Sequence, residues 1–227
     1  MISVSNLSSE SIALLQVRGQ SDQQVVDFSV LLEKANIQLE QDVSAKEILS
    51  ELTADELKLV QNSVGLAERI DVDSLSNEAA INLFAQPDKT GMVDLNNDGL
   101  VEIGAGKMMT FPPVNAPESV QRAWDDATEG MSEQDKMVMQ LHMHTMIYGI
   151  QIEGVSTPQA LSPEAQWSEN GIKQLFENLR SALEFSVSLD GWDRFNLVKN
   201  DFFDKFEKGL EEQTSVDRSL ADNNEPV

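Results

Sequence analysis

The fold class is set by residues 21–40, which read SDQQVVDFSVLLEKANIQLE. Apolar side chains recur there at steps of three and four residues, at Val25, Phe28, Leu32, Ala35 and Leu39. That spacing places them on one face of an α-helix. The stretch therefore predicts an amphipathic helix with one buried face.

Further helix signals follow along the chain. Ser44 with Glu47, and Thr53 with Glu56, have the spacing of capping boxes, in which each end of the pair satisfies a free N–H group at a helix start. A shorter helix is expected over residues 76–85, before Pro87.

A second group of helical patterns begins after residue 113. Their apolar faces predict buried side chains at Trp124, Leu141, Phe176 and Phe202. Residues 88–113, between the two groups, carry four glycines and short alternating apolar runs at 92–95 and 100–103. Alternation has the period of strands. The predicted fold is therefore mainly α, a helical bundle-like domain with a small inserted β-hairpin or calcium-loop segment.

The domain prediction follows from these shifts in pattern. Five segments are expected: a flexible N-terminal arm at 1–20, a helical part at 21–87, a calcium-loop or hairpin segment at 88–113, a helical part at 114–210, and a disordered acidic tail at 211–227. Residues 21–210 are predicted to form one domain. The alternative is two lobes divided near Pro87.

Charge narrows the classes of partner. The chain of 227 residues has 39 acidic against 16 basic side chains, a formal charge of −23. Such a field repels phosphate groups, so neither nucleic acid nor a membrane surface is expected as a partner. The expected partners are proteins. Because the chain has no cysteine, thiolate chemistry and disulfides are excluded.

No apolar run reaches the length of a membrane span, and the first residues lack the basic start of a secretory signal. The expected location is the cytoplasm, or outside the cell by a route that needs no signal peptide.

One motif carries specific chemistry: Asp94-Leu95-Asn96-Asn97-Asp98-Gly99-Leu100-Val101-Glu102. Calcium takes six to eight oxygen ligands, which a chain supplies by curling around the ion. The predicted ligands of one Ca²⁺ are the side chains of Asp94, Asn96, Asp98 and Glu102 and the backbone carbonyl of Leu100. Gly99 would allow the sharp turn.

This motif resembles the calcium loops of EF-hands and dockerins, and more closely the D-x-[DN]-x-D-G-x-x-D loops of integrin-type propeller repeats. It departs from the EF-hand at loop position twelve, where Ala105 stands in place of a bidentate Glu. The resemblance therefore implies the ion and its ligands, with Glu102 in the acidic role, but no helix–loop–helix frame. A sensor role is disfavoured for the same reason.

The simpler alternative is a β-hairpin without metal. In it, Val93 and Leu95 would pair with Val101 and Ile103 across an Asn-Asn-Asp-Gly turn.

Other chemical signals are weaker. His142 and His144 lie among methionines, which suits copper, but residues two apart on a helix point in different directions. Core packing is the favoured interpretation of this stretch. No nucleophile–base motif is present, so no catalytic residue and no organic cofactor is predicted.

Residues 26–35, VDFSVLLEKA, are similar to an early helix of small axial proteins exported by flagellar type III machines. The resemblance implies a small exported component of such an assembly. It stands as one alternative function, beside a hydrolase that uses a carboxylate pair.

The function predicted from the sequence is a non-enzymatic, calcium-stabilised, acidic helical module for binding or structure.

Overall fold

A computed structural model describes residues 7–149 and 160–222, with side chains described for 7–149 and 160–212. It confirms a mainly helical fold with a small two-stranded antiparallel sheet. The chain forms two compact units, Met1–Asn96 with Leu100–Met109, and Asn97–Gly99 with Thr110–Val227. The main boundary between these units follows Met109. One domain over 21–210, with two lobes divided near Pro87 as the alternative, stays a prediction.

The elements of the first unit are α1 (Ser9–Val17), α2 (Asp22–Glu40), α3 (Ala45–Glu51), α4 (Ala54–Val64), a 3-10 turn (Val72–Ser74), α5 (Asn77–Asn82), β1 (Leu100–Ile103) and β2 (Gly106–Met109). Both predicted capping boxes are present, since Ser44 and Thr53 cap α3 and α4 and exchange hydrogen bonds with Glu47 and Glu56. The core of this unit is built around fully buried Leu15, Phe28, Leu32, Leu49 and Leu83.

The predicted flexible arm at 1–20 is wrong over residues 9–17, which form helix α1. The Ser8 hydroxyl caps α1 by accepting the Ser11 N–H, and Leu15 is fully buried. The apolar patch is too short to show helical periodicity, so packing against the core stabilises α1 where intrinsic propensity does not. Residues 1–6 lie outside the described range.

The hairpin lies one turn later than expected. Strands β1 and β2 pair with Leu100 opposite Met109 and Glu102 opposite Lys107, around a turn at Gly104 and Ala105. The alternative hairpin around residues 96–99 is therefore wrong.

The elements of the second unit are α6 (Glu118–Thr128), α7 (Glu133–Tyr148), α8 (Pro163–Gln166), α9 (Glu169–Asp190) and α10 (Arg194–Asp222). Its core is aromatic. The Trp124 ring meets the Phe202 ring edge-on with centroids 5.3 Å apart, and Phe202 stacks on Phe206 at 5.3 Å. Trp124, Phe176 and Phe202 are buried as predicted.

The predicted burial of Leu141 is wrong, because its side chain is 54% exposed. Helix α7 carries apolar residues on several sides, and it is Met139 and Met143 that face the core, both fully buried. The predicted disordered tail is also corrected over 211–222, where the backbone continues α10 to Asp222. Residues 223–227 lie outside the described range.

None of the helices in the described parts of the chain combines the length and the apolar character needed to cross a membrane.

Candidate functional site

The ends of the 94–102 loop are fixed by polar side chains of α5. Asn82 is fully buried. Its amide oxygen accepts the Val93 N–H at 2.8 Å, and its Nδ2 donates to the carbonyls of Val93 and Glu102, both at 2.8 Å. The side-chain amide of Asn82 thus links Val93, just before the loop, to Glu102, the last residue of the loop. These bonds also explain why Val93 is not in a strand, since its own N–H and C=O are already paired.

Glu78 lies one helical turn before Asn82 and acts on the same segment. Its two carboxylate oxygens accept the N–H groups of Leu95, at 2.8 Å, and Glu102, at 2.7 Å. A carboxylate that accepts backbone N–H groups makes charge-assisted hydrogen bonds, which are stronger than neutral ones. Because Glu78 is only 4% exposed, these bonds compensate for the desolvation of its charge.

Within the loop, the backbone turns sharply at two positions. Asn97 has φ +54° and Gly99 has φ +78°, both in the left-handed region. At Gly99 two features exclude a side chain, the backbone conformation and the close neighbours. The φ value disfavours it, and an added Cβ would lie 2.4 Å from Cε2 of Tyr148 and 2.8 Å from Nε2 of His144. The predicted need for glycine at this turn is therefore confirmed.

The five predicted ligands differ in environment. Asp94 is 4% exposed, Asn96 is exposed, Asp98 is half-buried, and Leu100 opens β1. The Glu102 carboxylate forms an ion pair with Lys107, with Oε1 and Nζ 2.6 Å apart, and accepts the Ser76 hydroxyl. The hydrogen bonds from Lys107 and then Ser76 lower the pKa of Glu102, so this carboxylate stays charged.

Across residues 7–149 and 160–212, whose side chains the structure describes, no three His, Cys, Asp or Glu side chains are grouped so that they could hold a metal ion. The structure thus provides the sharp turn and the fixed loop ends, while Glu102 faces Lys107. An ion that takes Glu102 as a ligand competes with this ammonium group for the carboxylate.

The two histidines do not form a pair. The His142 ring stacks on Phe203 with centroids 5.9 Å apart, whereas the His144 ring lies 5.0 Å from that of Tyr148. Burial, and then the charge of Lys199, lowers the pKa of His142. The separate aromatic contacts agree with a packing role.

Sequence reasoning missed Glu78 and Asn82, the residues that hold the loop ends. A signal was present, because Glu78 and Asn82 lie one turn apart and are the two polar residues of the otherwise apolar stretch 78–85. On a helix, positions i and i+4 share a face, so a buried helix face with two polar groups indicates partners for them.

The chain matches no protein-family model, no curated protein and no solved structure at a significant level.

Proposed function

We propose that the protein is a non-enzymatic helical module for binding or structure, and that one Ca²⁺ bound by the 94–102 loop stabilises it. The observation that carries the proposal is the loop itself. Its ends are tied to α5 by Glu78 and Asn82, and its backbone reverses at Asn97 and Gly99. A segment held in this way loses less conformational entropy when it closes around an ion.

Charge supports the choice of a hard cation. Asp94, Asp98 and Glu102 bring three carboxylates into nine residues of sequence. Like charges held in one segment repel each other unless a cation balances them. Oxygen ligands without nitrogen or sulfur favour calcium over transition metals.

Lys107 has a defined part in this proposal. In the structure its ammonium group neutralises Glu102. Binding of Ca²⁺ would transfer Glu102 from Lys107 to the ion, so the ammonium group competes with calcium. Lys107→Met keeps much of the aliphatic stem and removes the charge. It is expected to raise the calcium affinity up to about fivefold.

The test is a calorimetric titration of the chelator-treated protein with Ca²⁺, together with thermal unfolding followed by circular dichroism. An ion that binds only the folded state at one hundred times its dissociation constant adds about 2.7 kcal/mol to the free energy of unfolding. Magnesium is expected to stabilise less, because it keeps its waters and requires octahedral geometry.

Two aspartate variants locate the effect. Asp98→Ala removes a central ligand and is expected to abolish most of the calcium-dependent rise in melting temperature. The matched control is Asp73→Ala, which removes an exposed carboxylate of the 3-10 turn and is expected to leave that rise unchanged. No binding heat at millimolar calcium, with melting unaffected by chelator, would contradict the proposal.

A further inference from the structure

A groove of about 830 Å³ runs along α2 in the first unit, with α3 and α4 on its other side. Its lining residues on α2 extend from Gln23 to Gln38. At 1.5 Å per residue this is a length of about 22 Å, or four helical turns. None of its lining residues belongs to the 94–102 loop, so the groove is a separate feature of the unit.

The apolar lining residues of the groove, which we call its floor, come from all three helices and the end of α3. Val30 of α2 is 37% exposed there, and Val26 beside it is half-buried. Leu52, at the end of α3, and Leu59 of α4 line the groove and are partly buried against the core of the unit. The groove therefore offers apolar surface from α2 and from its opposite side, where further burial would be favourable.

The charged lining residues, which we call the rim, are mainly acidic. Four carboxylates and two ammonium groups line it: Asp27, Glu51, Asp55 and Glu56, with Lys34 and Lys58. Glu56 is already engaged, because it completes the capping box with Thr53 and is attracted by Lys34. The side chains of Asp27, Glu51 and Asp55 are exposed, and Asp27 accepts a hydrogen bond from the Gln23 amide at 2.9 Å. The lining thus carries more carboxylates than ammonium groups.

We infer that this groove binds a basic amphipathic helix of a partner protein. The length of four turns and the apolar lining fit one face of an amphipathic helix, whose anchors recur at three- and four-residue steps. The surplus of carboxylates at the rim complements Lys and Arg beside such anchors and disfavours an acidic segment. A second copy of this chain is a poor occupant, because both molecules carry a formal charge of −23.

This inference rests on the proposed role as a binding module but not on the calcium ion. The two proposals are separated by titrating the groove in excess chelator and again in excess calcium. Peptide binding without calcium binding would overturn the proposed calcium site and support the peptide-binding groove. Calcium binding without peptide binding would overturn the groove and support the calcium site.

The probe is a fluorescent peptide of about 16 residues, matched to four turns, with leucines on one face and lysines and alanines elsewhere. Fluorescence anisotropy of the full chain with this peptide is expected to give a dissociation constant in the micromolar range. Two comparison peptides are expected to bind at least tenfold more weakly. One has glutamate in place of lysine, and the other has the same composition with its leucines dispersed around the helix.

Paired variants of the full chain locate the site. Val30→Glu places a charge on the groove floor and is expected to weaken peptide binding at least tenfold. Ile37→Glu is its control, because Ile37 is also exposed on α2, at 47%, and does not line the groove.

The double variant Glu51→Lys/Asp55→Lys is expected to weaken binding strongly. Glu33→Lys/Glu40→Lys makes the same change in net charge at exposed positions of α2 outside the groove and is expected to have a much smaller effect.

Circular dichroism and melting temperature establish that each variant is folded. Equal weakening by Val30→Glu and Ile37→Glu would overturn the inference, since the loss would then not depend on a position in the groove. So would equal affinity for the acidic peptide, or no binding of the basic peptide at millimolar concentration.

Discussion

Single residues decide how the 94–102 loop is held. Asn82 uses its amide as a peptide group would, donating and accepting toward Val93 and donating again to Glu102. Glu78 adds two charge-assisted bonds. Each hydrogen bond to a charged group contributes about 1.5–3 kcal/mol. The loop ends therefore depend on two side chains of one six-residue helix.

Substituting Gly99 and Gly130 by alanine separates two free-energy costs, that of backbone strain and that of a steric clash. Both have positive φ, +78° and +77°, but nothing lies within 4 Å of a Cβ at Gly130, whereas Tyr148 would be 2.4 Å from one at Gly99. Gly130→Ala is expected to cost about 1–2 kcal/mol from the φ value alone. Gly99→Ala is expected to cost about 1–3 kcal/mol more.

Urea unfolding of the two glycine variants measures the difference. Equal losses would show that Tyr148 moves aside without penalty and that φ alone requires glycine at position 99.

The sequence could indicate Gly99 but not its neighbours. Asp-Gly in a motif with alternating oxygen-bearing residues predicts a turn from local chemistry. The contact of Gly99 with Tyr148 joins residues 49 positions apart in the chain, and no local pattern carries that information. The ion pair between Glu102 and Lys107 was likewise not predicted, because it depends on the strand register.

At the scale of elements, α7 and α10 are joined at their starts by an ion pair. Both guanidinium nitrogens of Arg194 contact Asp135, at 3.0 and 2.6 Å, and the Ser132 hydroxyl that caps α7 donates to the same carboxylate. The hydrogen bonds from Arg194, and then from Ser132, lower the pKa of Asp135. The carboxylate is thus held charged in the first turn of α7, where the helix dipole also favours a negative charge.

The lowered pKa predicts how the pair responds to acid. A carboxyl group that binds protons less readily when folded stabilises the protein fully above its ordinary pKa of about 3.9, and this stabilisation is lost as pH falls toward its folded-state pKa. The melting temperature of Asp135→Asn is therefore expected to lie below that of the original protein at pH 5–7. This difference in melting temperature between the two proteins should narrow below about pH 4.

Asp190→Asn, which removes an exposed carboxylate of α9, controls for the general change in charge and should show a smaller difference. If Asp135→Asn lowers the melting temperature as much at pH 3 as at pH 7, the ionisation of Asp135 beside Arg194 contributes nothing to stability.

Elements with local start signals were predictable, and elements stabilised by tertiary contacts were not. The helices α3 and α4 begin at capping boxes that a few residues define completely. In contrast, α1 has nine residues and is supported by the burial of Leu15. The face of α7 was also ambiguous, because Met139, Leu141 and Met143 are all apolar and only packing distinguishes them.

At the scale of the whole molecule, each compact unit has its own hydrophobic core. Phe28 is fully buried in the first core and Phe202 in the second. Substituting either phenylalanine by alanine removes a large side chain from a packed interior and is expected to cost about 3–5 kcal/mol.

If each unit unfolds separately, scanning calorimetry of the full chain will show two transitions. Phe28→Ala is expected to lower the temperature of one and Phe202→Ala that of the other. Leu141→Ala, at an exposed position, is expected to shift neither by more than about 1 °C. A single transition lowered equally by both phenylalanine variants would mean that the two cores unfold cooperatively.

The contacts of α5 with Glu102 also bear on aggregation. An exposed strand presents backbone N–H and C=O groups on which the strand of another molecule can pair. In β1 the N–H of Glu102 is bound by Glu78 and its C=O by Asn82, on the side of the strand away from β2. Two helix side chains thus occupy positions that a neighbouring strand would fill, and the outer side of β1 is kept from acting as a template. A variant that loses the Asn82 amide would regain that capacity, and it would be recognised first by turbidity at high protein concentration.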